Sequence, residues 1–130
     1  RRQVLAAYDA LAALRSAPEP RLRSAAWVAL RELGDPRAGD LAAEGLSDPV
    51  PDVRITAAQC AGALGGPEPL ARQVPQLADP DRWVRFHAAT ALYAAGTDGR
   101  RLLEQHCQAA PDDDVGRQVW RERTTEAGFL

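Results

Sequence analysis

Asp48-Pro49-Val50-Pro51-Asp52-Val53-Arg54, followed by Ala57-Ala58, Ala61, Leu64 and Gly65, returns 31 residues later. The second copy reads Asp79-Pro80-Asp81-Arg82-Trp83-Val84-Arg85, followed by Ala88-Ala89, Leu92, Ala95 and Gly96. Outward from this pair, Arg23, Arg54, Arg85 and Arg117 keep one register. A glycine stands eleven residues after each (Gly34, Gly65, Gly96, Gly128), and a proline precedes each (Pro18, Pro49, Pro80, Pro111). Three residue types sharing one register mean that the chain is built from copies of one unit. A fixed period of about 20–50 residues is the mark of a solenoid or an array.

Each unit contains one well-defined helix. With the arginine as position zero and about 100° per residue, positions −1, +3, +4, +7, +10 and +11 share a broad face. Valine, the alanine pair, leucine or alanine, and glycine occupy that face. Positions −2, +1, +2, +5 and +9 fall on the other side. A stripe held over about four turns predicts an amphipathic helix. The proline is expected to open it, because its missing N–H is not needed in a first turn. The glycine is expected to close it in the left-handed cap conformation.

Fourteen residues separate each glycine from the next proline, enough for a shorter first helix and a turn. Pro36 and Pro67 suit helix starts, whereas Pro75 falls inside its segment and should bend or shorten it. An earlier first helix covers Val4–Arg15. The expected architecture is all-α, a solenoid of about eight helices in four pairs, approximately 3–34, 35–65, 66–96 and 97–130, forming one domain. Turns are expected near 16–20, 34–36, 47–51, 65–67, 78–81, 96–98 and 110–113. With no methionine present, the chain reads as a segment of a longer protein.

Composition narrows the function classes. Net charge is −2 and the isoelectric point about 5.7, whereas a general nucleic-acid or anionic-membrane binder would carry a basic excess. All sixteen basic residues are arginine and lysine is absent, which fits GC-rich coding rather than chemistry. No apolar run reaches the roughly 18 residues needed to span a bilayer. Cys60 and Cys107 are few and far apart, as expected for free thiols in a reducing, cytoplasmic setting.

The run Asp-Pro-x-x-x-Val-Arg-x-x-Ala-Ala resembles HEAT repeats, in particular the short class of phycobilisome-lyase-like proteins. It is strong in 48–65 and 79–96 and looser in 18–34. It is loosest in 111–128, where Gly116 replaces valine and one residue is inserted among Asp112–Asp114. The resemblance implies a right-handed superhelix whose arginine-bearing helices line a concave surface where partners bind. It also implies a structural role for the arginine. Asp48 and Asp79 each precede an arginine by six residues, so a turn carboxylate can meet the guanidinium of the following helix or that of the next copy. That outweighs a phosphate-binding ladder.

No reaction chemistry emerges. A metal site needs three or four ligands at workable spacing, and His87 and His106 have no paired motif. One iron enzyme built on such repeats, deoxyhypusine hydroxylase, uses His-Glu pairs; here Ala88 follows His87 and Cys107 follows His106. Cys60, at the edge of the buried face, reads as packing. Asp112–Asp114 sits at a helix start, where the dipole rather than a cation is the expected reason for three acids. No metal, cofactor or catalytic residue is expected, and the balance favours a binding module over an enzyme.

The tryptophans mark the candidate site. Trp27 and Trp120 take slots that interior copies fill with alanine, and both belong to terminal pairs, where a large side chain fills an end. Trp83 instead lies on the outward face with Phe86, His87 and Thr90. The preceding copy places Ile55, Thr56 and Gln59 there. Apolar residues clustered on an outer face in mid-array indicate recognition. The expected function is a scaffold gripping a protein or peptide, with neither nucleic acid nor membrane as partner and no oligomeric state implied. The alternative is a lyase-like enzyme or accessory protein holding a small hydrophobic ligand in the same groove.

Overall fold

A computed structural model describes residues 2–126. Eight α-helices and no strand occur among them. They are α1 (Arg2–Ala13), α2 (Pro20–Leu33), α3 (Arg37–Leu41), α4 (Pro51–Leu64), α5 (Pro67–Arg72), α6 (Arg82–Ala94), α7 (Thr97–Ala109) and α8 (Val115–Glu126). The chain is an all-α solenoid of four pairs, α1–α2, α3–α4, α5–α6 and α7–α8. The second helices pack in sequence, α2 on α4, α4 on α6 and α6 on α8, with the first helices forming a second layer.

The alanine stripe lets these helices stack. Val53, Ala57, Ala58 and Ala61 on α4 are buried, as are Val84, Ala88, Ala89 and Leu92 on α6. Two apolar clusters result. One gathers Tyr8, Trp27, Leu30 and Val53, and the other Leu70, Leu77, Leu92, Leu103 and Val119. Trp27 is fully buried in the first, with its indole against Gly45, where a Cβ would lie 2.8 Å from Nε1. Trp120 is half-buried and meets Tyr93 edge-on at 5.8 Å.

The middle first helices are short. α3 passes into a 3-10 segment at Ala42–Ser47, and α5 ends before the 3-10 segment Val74–Ala78, which contains Pro75. Proline removes the N–H a continuing α-helix needs and crowds the carbonyl one turn back. Gln76 on this segment is buried and donates from Nε2 to the Leu46 carbonyl at 3.2 Å, tying the third pair to the second.

Two expectations about helix ends are corrected. Pro18, Pro49 and Pro80 lie in the turns rather than in the first helical turn, and α8 begins four residues after Pro111. The first-turn prolines are Pro20 and Pro51, while Asp81 caps α6 by accepting from the Trp83 and Val84 amides at 2.8 and 3.1 Å. The register prolines serve the turn itself. Asp48 accepts the Val50 amide and Asp79 the Asp81 amide, both at 2.9 Å, closing an Asx turn around the intervening proline. Of the glycines, Gly34 (φ 77°) is the left-handed cap expected, whereas Gly65 has φ −79°. Gly65 is needed for space: a Cβ there would strike the Ala61 carbonyl and Pro69. Gly96 has φ 92° but precedes α7 instead of capping α6, which ends at Ala94 and is capped by Ala95. Gly128 lies outside the described residues.

Candidate functional site

The register arginines fix how one second helix sits beside the next. Arg54 donates from Nε and Nη2 to the two carboxylate oxygens of Asp79, at 3.0 and 3.1 Å, and from Nη1 to the Asp48 carbonyl at 2.8 Å. Arg23 does the same one copy earlier, reaching Asp48 at 2.8 and 3.1 Å and the Ala17 carbonyl at 2.9 Å. Each guanidinium thus binds its own turn through a carbonyl and the next turn through a two-pronged carboxylate pair. Burial alone would raise the Asp48 carboxyl. The hydrogen bonds from Arg23 and Val50, with the charges of Arg23 and Arg54, outweigh it and hold the group below the usual range.

The clamp stops at Arg85. Its Nη1 reaches the Asp79 and Pro80 carbonyls at 2.7 and 3.2 Å, and no carboxylate pairs with it among the described residues. The residue in register with Asp48 and Asp79 is Ala110. Its backbone (φ −86°, ψ 151°) is extended like theirs (φ −61°, ψ 140° and φ −58°, ψ 143°). Ala110→Asp is therefore expected to supply the missing acceptor and stabilise the fold by about 1 kcal/mol. A thermal melt checks this, and the gain must vanish in an Arg85→Ala background if it comes from the clamp.

With the helices so aligned, the outer positions form a strip across α2, α4 and α6. Ser24 donates to Thr56 at 3.2 Å, and Gln59 and His87 approach at 3.4 Å between Nε2 and Nδ1. Trp83, Phe86, His87 and Thr90 share one face of α6. The Trp83 and Phe86 rings meet edge-to-face at 6.1 Å and Phe86 meets His87 at 5.3 Å, while Thr90 caps back onto the His87 carbonyl at 3.0 Å. Phe86 is half-buried and packs its other side against the second core cluster. Trp83 is 61% exposed, the largest exposed apolar side chain among the described residues. Ile55, Thr56 and Gln59 are half-buried beside them.

Where this strip reaches the last turns of the second helices it deepens into a groove of about 710 Å³. Gln59 and Thr90 line its near side, and Gly62, Ala63, Ala91 and Ala94 supply small residues. Arg31, Arg100, Arg123 and Glu126 supply the charge. These arginines do not stand out in the sequence. Arg31 and Arg123 stand at +8 and +6 of their copies, on the flank of the outer face, and only the fold brings Arg100 of α7 beside them.

His106 Nε2 lies 2.9 Å from Asp114, whose same oxygen takes the Arg117 amide at 2.9 Å, so the pair joins α7 to the start of α8. Cys60 and Cys107 are free thiols, each pushed up to about 11, chiefly by burial. No group of three His, Cys, Asp or Glu side chains is placed to hold a metal among the described residues. No helix among them is long and apolar enough to cross a membrane.

A family model for HEAT repeats matches residues 40–120. With the paired helices and the arginine register, the chain belongs to the HEAT-repeat family. Repeats of this family generally serve as protein-interaction scaffolds. No curated protein matches the chain.

Proposed function

We propose that this chain is a protein-interaction module that binds a protein or peptide on its concave face, along the side of the second-helix row turned away from the core. The site centres on Trp83, Phe86, His87 and Thr90 and extends through Ile55, Thr56 and Gln59. The observation that carries this reading is the exposed Trp83 ring, edge-on to Phe86 and on the same helix face as His87 and Thr90. Binding energy concentrates on aromatic anchors surrounded by polar groups that exclude water. The interlocking of Ser24 with Thr56 and of Gln59 with His87 supports the face by fixing its shape before a partner arrives. Two free thiols suit a reducing compartment, and the cytoplasm is the proposed location.

A peptide selected from a random display library tests the reading. Trp83→Ala should weaken its binding by about 2 kcal/mol, roughly thirty-fold, while leaving the melting temperature unchanged. Lost stability with intact binding would make Trp83 a packing residue and move the site elsewhere.

A further inference from the structure

The groove beyond the aromatic strip is electrostatically one-sided. Three arginines face a single carboxylate there, an excess of two positive charges (3 − 1) in a chain of net charge −2. Helix dipoles explain part of this. Arg31 and Arg123 occupy last turns, where a cation offsets the partial negative charge of the helix end. The same argument runs the wrong way for Arg100. It sits in the first turn of α7, where the dipole disfavours a cation.

Arg100 is nevertheless held firmly in place. Its guanidinium carbon lies 4.4 Å above the Tyr93 ring centroid, and its Nε donates to the Tyr93 carbonyl at 3.1 Å. These contacts use the flat face and one N–H. Both Nη groups make no hydrogen bond to another described residue, and a carboxylate fits such a paired edge. The Arg31 guanidinium has no hydrogen bond among the described residues, and Arg123 has only an exposed contact to Glu126 at 3.8 Å. An exposed pair of that length contributes little.

Shape decides what kind of anion fits. The groove crosses from α2 to α8, three helix-to-helix steps of roughly 10 Å each. A single small anion cannot touch both ends, whereas about nine extended residues would span it. The small side chains of Gly62, Ala63, Ala91 and Ala94 leave room for a backbone to lie close.

We propose that the groove takes an extended acidic segment of the partner, its carboxylates on Arg31, Arg100 and Arg123. This rests on the interaction reading above and adds the chemistry of the partner to it. Panning a random dodecapeptide library against the native chain and against Arg31→Glu/Arg123→Glu tests it. Both substituted side chains are exposed, and melting curves verify that the fold is kept. Peptides enriched on the native chain should be net acidic. Their affinity should fall about ten-fold or more on the double variant and weaken as salt rises. An Arg100→Gln variant should lose the same acidic preference.

Enrichment of neutral or basic peptides would overturn the acidic assignment while leaving the interaction reading standing. No enrichment at all would sink both. Displacement of the selected peptide by a single-stranded oligodeoxynucleotide at comparable concentration would assign the groove to a phosphate backbone instead.

Discussion

Arg54→Ala is expected to lower the free energy of unfolding by about 3 kcal/mol, as does removal of one partner from a buried ion pair generally. Arg54 and Asp79 are 15% and 9% exposed, so the carboxylate left behind is too enclosed for water to replace the lost fork of hydrogen bonds. Asp79 also shapes the turn before α6 by accepting the Asp81 amide, and its misplacement would disturb the following helix start. Arg85→Ala provides the contrast. That side chain holds only two backbone carbonyls, and its loss should cost about 1 kcal/mol. Chemical denaturation of the two variants side by side gives both values. Equal losses would mean that the carbonyl contacts, not the carboxylate clamp, carry the stabilisation.

Gly39→Ala is expected to be as damaging for a different reason. A Cβ at Gly39 would lie 2.5 Å from the Gly65 Cα and nitrogen and from the Leu64 carbonyl carbon. All three are backbone atoms, so no side chain can swing away, and α3 must move off the end of α4. Overpacking of this kind costs typically 1–3 kcal/mol, and the rigidity of both partners places this case near about 3 kcal/mol. Gly66→Ala is the control. Its Cβ would meet nothing within 4 Å and its φ of −86° suits any residue, so the change should stay within about 0.5 kcal/mol. A destabilised Gly66→Ala with a native-like Gly39→Ala would contradict the packing account.

The pairing of helices was legible because it is written in period and stripe. The arginine, the alanine pair and the apolar positions repeat, and repetition survives ignorance of the tertiary contacts. Which neighbour the arginine grips was not legible. Asp48 lies near Arg54 in sequence, yet its carboxylate holds Arg23 and leaves only its carbonyl to Arg54. The choice depends on the offset between adjacent helices, which no single copy encodes. Helix ends were misread for a related reason: proline and glycine serve turns and close contacts as readily as caps. Gly65 looks like a cap in the sequence and becomes a spacing residue only once Pro69 folds against it. The outer face of α6 could be read because one helix carries it. The arginine groove could not, since its members come from α2, α7 and α8.

The clamp that ends at Arg85 makes the array mechanically uneven. Its first two joints are riveted by rigid forks, Arg23 to Asp48 and Arg54 to Asp79, which resist both sliding and twist. The third has no described fork and relies on the edge-on rings of Tyr93 and Trp120 and the apolar packing of Val119 in the second core cluster. Ring contacts tolerate rotation that a two-pronged pair does not. Compliance is therefore concentrated between α6 and α8, and the curvature of the scaffold is set stiffly at one end and adjustably at the other.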